Sequence, residues 1–255
     1  MVPRDGNDDS SGLLYGFHTV LEALQSRARS IQRLWLIRPD GRFFPLTRIA
    51  KERGIPFSIE PRERLDHLAN DRHHQGVVAK IAPKEYLEGE ELLDLLSQSS
   101  TPALLVVLDQ IQDPHNLGAV IRSVDATGAH GIIIPKHRAV GVTGGVAKAS
   151  AGAVEHVRIA RVANTGKFLE ACQKQGIVTV AFDPDGQASY AEIDMTKPVA
   201  LVFGNEGEGI RPIVLRKCDH RVYIPMQGRI HSLNVSVSVA VTLFEAVRQR
   251  MGRKG

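Results

Sequence analysis

LVFGNEGEGI (201–210) and YIPMQGRIHSLNVSVSVAV (223–241) are the stretches on which the reading of this chain turns. Each begins in a short apolar run and ends in a glycine-bearing loop. Leu201–Phe203 opens into Gly204-Asn205-Glu206-Gly207-Glu208-Gly209, and Val222–Ile224 opens into Pro225-Met226-Gln227-Gly228. Strands that end in glycine turns let backbone come close to a ligand. In open α/β sheets, ligands sit beyond the carboxyl ends of strands. The two ends therefore read as parts of one pocket.

Upstream, Ala103–Leu108 (ALLVVL) is a continuous apolar run, as expected of a parallel strand buried on both faces. A polar loop follows, then a helix over Asn116–Thr127 with Asn116 as its N-cap and Gly128 as its stop. Strands at Gly131–Ile134 and Ile177–Phe182 alternate with helices at Val142–Ala151 and Thr165–Gln175. This alternation predicts an α/β domain with a mostly parallel sheet over residues 102–255. The alternating Val235, Val237, Val239 and Val241 have a strand's period, but LFEAVRQR continues as helix. We read Asn234–Arg250 as one helix capped by Asn234. Apolar over much of its circumference, it would be buried on two sides, by its own sheet and by a partner subunit.

A second, smaller α/β domain is expected at residues 13–83, joined through an acidic linker at 84–101. Its elements are a helix at Leu13–Ser26, strands at Ile31–Ile37, Ile55–Ile59 and Gly76–Ile81, and helices at Leu46–Arg53 and Arg62–Asn70. Residues 1–12 are polar and read as a disordered tail. From Arg27 to Arg64 there are ten basic residues against four acids, a local excess of six in a chain of net charge +4. Nine of the ten are arginine, which suits forked contacts to phosphate. His73 and His74 have no acid or cysteine at ligand spacing, so they read as solvent- or RNA-facing.

No apolar run approaches the roughly 20 residues of a membrane helix. Two cysteines, Cys172 and Cys218, imply neither a disulfide framework nor a cysteine metal site, so a cytoplasmic location is expected. Gly204, Gly207 and Gly209 give G-x-x-G-x-G, the wrong order for a dinucleotide fingerprint. The chain has no P-loop, no G-x-S-x-G and no H-E-x-x-H. What is left is a pocket with few charges beside a basic face, which suits a small cofactor and a polyanionic substrate.

Asn116-Leu117-Gly118-Ala119-Val120-Ile121-Arg122, Leu201–Ile210 and Ile224–Ala240 resemble, in order, the three motifs of the SpoU/TrmH-type RNA 2'-O-methyltransferases of the SPOUT superfamily. The likeness covers about Pro102 to Arg250. Residues 13–83 more loosely resemble the L30e-like substrate-binding domain often attached to these enzymes. DPHNLGAVIR, SAGAVEHV and LFEAVRQR are most similar to the bacterial enzymes that methylate guanosine in 23S rRNA. The resemblance implies a trefoil-knotted sheet, S-adenosylmethionine as cofactor and no metal. It implies a homodimer formed through the C-terminal helix. Gly204, Ile224, Leu233, Met226 and Gly228 would contact the cofactor. Arg122 would be the leading catalytic residue, supported by Asn116, Glu206, Ser232 and Asn234. Taken singly, Asn116 and Asn234 are equally well read as caps, and Glu206 as a holder of its own loop. A tRNA substrate, or a non-catalytic RNA-binding protein of the same fold, are the competing expectations.

Overall fold

The computed structural model describes residues 12–252. The expected disordered tail lies outside them except for Gly12. The chain forms two compact units. One contains residues 12–85 together with 141–156, and the other contains 86–140 and 157–252.

The first unit begins with β1 (Leu13–Tyr15), α1 (Phe17–Ser26), β2 (Ile31–Leu36), α2 (Phe44–Glu52), β3 (Phe57–Ile59), α3 (Arg62–Ala69) and β4 (Val77–Ile81). The sheet order is β1-β4-β2-β3. The helix expected over Leu13–Ser26 is split, because Gly16 takes φ 95° and α1 starts only beyond it. Periodicity could not separate a three-residue apolar strand from the helix it abuts. His74 is a correction. It is fully buried rather than solvent- or RNA-facing. Its Nδ1 accepts from Gly76 N at 2.9 Å, so its Nε2–H faces Asp66 Oδ1 at 3.0 Å. The ring pins the turn into β4. Of the ten basic residues from Arg27 to Arg64, eight are exposed. Arg53 is half-buried, and Arg29 is buried and paired with Glu155.

Glu155 comes from the segment 141–156, which the sequence places far downstream. That segment carries α6 (Gly144–Ala149), and it packs into the first unit at close range. A Cβ on Gly144 would strike the Leu13 carbonyl and crowd the Tyr15 ring at 3.1 Å. Lys148 Nζ reaches Asp71 Oδ2 at 2.7 Å, and Lys84 Nζ donates to the Val154 carbonyl at 2.8 Å. Contiguous apolar patterning carries no sign of this exchange.

In the second unit, β5 (Leu87–Glu88), α4 (Gly89–Ser97), β6 (Leu104–Asp109), α5 (Pro114–Thr127) and β7 (Gly131–Pro135) precede the excursion into the first unit. After it come β8 (Ile159–Val162), α7 (Thr165–Lys174), β9 (Val178–Phe182), β10 (Ala188–Ser189) and β11 (Val199–Gly204). The unit closes with α8 (Pro212–Leu215), β12 (His220–Tyr223) and α9 (Val235–Met251). The sheet order is β10-β12-β9-β11-β6-β7-β8-β5, and every pairing is parallel. β5, inside the stretch read as linker, forms one edge of this sheet. β6 is buried along its whole length, as a central parallel strand should be.

Beyond β11 the chain crosses to β12 on the far side of β9, then returns so that Asn234 meets residues of α5 and of the loop after β11. Helix α9 buries Val235, Val239, Thr242, Leu243 and Ala246 and packs beside α5. Both cysteines are free and serve as filling. Burial pushes the thiols of Cys172 and Cys218 up to about 12, so neither is a ready nucleophile.

Candidate active site

The register of the two central strands builds the site. β6 and β11 run parallel with Leu108 opposite Phe203 and Asp109 opposite Gly204, so their terminal loops leave side by side. Asp109 is fully buried. It accepts from Arg211 N and Nε at 3.0 Å and from Arg211 Nη2 at 2.6 Å. That ion pair fixes the far end of the loop begun at Gly204, and the hydrogen bonds that Arg211 donates to Asp109 raise the arginine's pKa.

Between these anchors the loop folds back on itself. Asn205 and Gly209 exchange backbone hydrogen bonds of 3.2 and 3.0 Å. The Asn205 side chain accepts from Gly207 N at 2.9 Å and Glu208 N at 2.6 Å. A Cβ on Gly204 would fall on the Gly209 carbonyl and Ile210 N, so this turn requires glycine there. Asn205 thus holds the loop, and Glu206 is released for another task.

Glu206 joins the three sequence segments. Asn116 Nδ2 donates to Glu206 Oε1 at 3.0 Å, Asn234 Nδ2 donates to Asn116 Oδ1 at 3.0 Å, and Asn234 also donates to Glu206. Both amide protons of Asn234 are thereby used. Its Oδ1 accepts from Ser236 N at 2.9 Å and Ser236 Oγ at 2.6 Å, so Asn234 caps α9 while holding the network. Asn116 is not a cap. α5 begins two residues earlier, where Asp113 accepts from His115 N at 2.8 Å. Standing in the first turn instead, Asn116 has a side chain free to reach Glu206. Glu206 accepts no backbone hydrogen bond, and its Oε2 has no partner among the described residues.

Two clefts meet at this network. The larger, of roughly 610 Å³, is lined by Gly204, Ile224, Met226, Ser232, Leu233 and Asn234, together with the loop at 205–210. Its size lies within the usual range for small-ligand sites. Phe182 and Phe203, stacked with centroids 4.6 Å apart, form part of its wall. His231 also lines it. The smaller cleft, of roughly 490 Å³, is lined by Gln110, Asp113, Asn116 and Arg138. Residues 205–208 and Val235 border both clefts and form the wall between them.

The structure therefore brings together Asn116, Glu206, Ser232 and Asn234 with Gly204, Ile224, Met226 and Leu233. It does not bring in Gly228, which lines neither cleft. Arg122 is exposed on α5 and also lines neither cleft. Gln110 and Arg138 were missed. They stand in loops after β6 and β7, and only the placement of those strands side by side shows that the loops share a cleft.

Residues 103–244 match the model of the SpoU rRNA methylase family. Residues 13–87 match a model described as RNA 2'-O ribose methyltransferase substrate binding. A putative TrmH family tRNA/rRNA methyltransferase of Bacillus subtilis, YacO, is 40% identical over 92% of this chain and 94% of its own. A 23S rRNA (guanosine-2'-O-)-methyltransferase of Coxiella burnetii, RlmB, is 40% identical over 93% of this chain and 95% of its own. Among solved structures, the SpoU methyltransferase AviRb of Streptomyces viridochromogenes, in complex with the cofactor AdoMet, superposes with a TM-score of 0.80. It is 27% identical and covers 98% of this chain and 95% of its own.

Proposed function

The chain belongs to the SpoU rRNA methylase family, and from that premise we propose that it methylates the ribose 2'-hydroxyl of a guanosine in 23S rRNA, using S-adenosylmethionine. The observation that carries this reading is the Asn116–Glu206–Asn234 network. It ties all three motif segments to the wall between a ligand-sized cleft and a second, polar one.

The larger cleft fits the cofactor. The glycine turn at Gly204 lines it, and Ile224, Met226 and Leu233 give it apolar walls. Glu206, Glu208, Asp183 and Asp185 line it too and complement a cationic ligand. S-adenosylmethionine supplies an electrophilic methyl group on a sulfonium. The chain's task is to align the hydroxyl with that group and to stabilise charge on the oxygen. Asn116, Glu206 and Asn234 fix the wall where the two substrates meet, and Ser232 faces the same cleft. A guanidinium is a poor base, so Arg122 acts as a phosphate clamp or as a stabiliser of the forming alkoxide.

An essential arginine outside both clefts needs a second copy of the chain. Val237, Val241, Phe244 and Met251 lie along one face of α9 and are 45%, 37%, 55% and 69% exposed. Unpartnered apolar stripes of this kind mark association surfaces. We read the stripe as the dimer face, with Arg122 of one copy completing the site of the other. Phe244→Glu is expected to give monomers with little methyl transfer. Sedimentation of an unchanged dimer would overturn this.

The first unit, with eight exposed basic residues in the Arg27–Arg64 stretch, would grip RNA phosphates. Among the described residues no helix is long and apolar enough to cross a membrane. We place the enzyme in the cytoplasm with its ribosomal substrate. The deciding experiment maps 2'-O-methylation in ribosomal and transfer RNA from cells with and without the protein. The expected result is the loss of methylation at one guanosine of 23S rRNA. Loss in tRNA alone would overturn the substrate, and no change in either RNA would overturn the activity.

A further inference from the structure

Within the eight-stranded unit, two non-glycine residues have left-handed backbone. They are Gln110, at φ 64°, and Arg138, at φ 59°. Left-handed backbone is strained for residues with a side chain, and such strain concentrates where a ligand is held. Both residues line the same small polar cleft. Gln110 is only 6% exposed, yet its carboxamide has no hydrogen-bond partner among the described residues. The carboxamide is not sealed from solvent, and a ligand bound in the cleft would supply it a partner. Arg138 is exposed and forms no ion pair among the described residues.

The charges around the cleft restrict what it can hold. Asp113 is engaged as the cap of α5, Glu206 is held by two asparagines, and Glu208 stands on the shared wall. These three carboxylates repel an anion from their side of the cleft. Arg138 is the cation that lines it. An occupant must therefore present one anionic group at Arg138 and neutral polar groups elsewhere. A nucleotide within a chain has that form, with a phosphate, a sugar hydroxyl and a base edge. The wall the cleft shares with the larger cleft sets such a nucleotide one loop's thickness from the methyl donor.

We infer that this polar cleft seats the target nucleotide, with Arg138 gripping its phosphate and the Gln110 carboxamide bonding its sugar or base. This rests on the proposed function and assigns the acceptor half of that site. The strained backbone aims both side chains inward before RNA arrives, so less ordering is needed on binding.

Glycine is the informative substitution, because it adopts left-handed backbone freely and removes only the side chain. Arg138→Gly is expected to raise the KM for RNA about tenfold and to flatten the salt dependence of RNA binding by about one counterion. Gln110→Gly should raise KM without changing that slope, since the lost group is neutral. Arg138→Lys should restore the slope. All three should bind S-adenosylmethionine as the parent does. If the parent methylates no RNA, the functional reading itself falls. If the parent is active and both glycine variants keep its KM and slope, only the cleft assignment falls. Loss of cofactor binding together with RNA binding would assign both residues to the fold and overturn the inference.

Discussion

Replacing Arg122 by alanine should lower methyl transfer to RNA about 10²–10³-fold while leaving S-adenosylmethionine affinity as it was. The magnitude is that of deleting one pre-positioned charge stabiliser from an active site. The selectivity follows from where Arg122 stands. It is exposed on α5 and borders neither cleft, so its loss removes nothing that touches the cofactor. In the proposed dimer the guanidinium would act on the partner's RNA. Mixing Arg122→Ala with Glu206→Ala subunits provides the check. Hybrid dimers should regain activity at one of their two sites, well above the residual activity of either variant alone. Near-parental activity in Arg122→Ala alone would remove the residue from the mechanism.

The second large effect is on stability. Arg29→Ala should cost about 3–5 kcal/mol, the usual penalty for breaking a buried ion pair by removing one partner. Arg29 Nε meets Glu155 Oε2 at 2.9 Å, and the two side chains are 6% and 0% exposed. Alanine at 29 would leave the Glu155 carboxylate in the interior. Lys84 is close enough to feel both charges, which places the loss toward the lower end of the range. Arg29→Met with Glu155→Leu replaces both charges by apolar groups and should recover most of the loss. Thermal melts of the two variants decide the matter. A single variant within about 1 kcal/mol of the parent would show the pair to be dispensable.

The large sheet was legible because parallel strands buried on both faces are written as unbroken apolar runs. Leu104–Asp109 and Val199–Gly204 fall where ALLVVL and LVFG put them. The shape of α9 was also legible once LFEAVRQR was weighed against the alternating valines. What stayed hidden depends on partners distant in sequence. Asn116 reads as a cap until Glu206 is seen beside it. His74 reads as a surface residue until Asp66 and the Gly76 amide enclose its ring. β5 and β10, of two residues each, are too short to carry any period. The knot came from likeness to known proteins and not from pattern, since chains as a rule do not thread their own loops.

The exchange of residues 141–156 into the first unit sets an order of events during synthesis. The ribosome delivers residues 12–85 first, but the Glu155 that neutralises Arg29 and the Lys148 that meets Asp71 leave it only after β6, α5 and β7 have been made. Until then Arg29 has no Glu155 to pair with, and the early unit waits unfinished on the nascent chain. The part that emerges first is completed only when the later sheet is partly built. For the same reason, cutting the chain near residue 85 would yield a body lacking some of its own interior rather than a free-standing module.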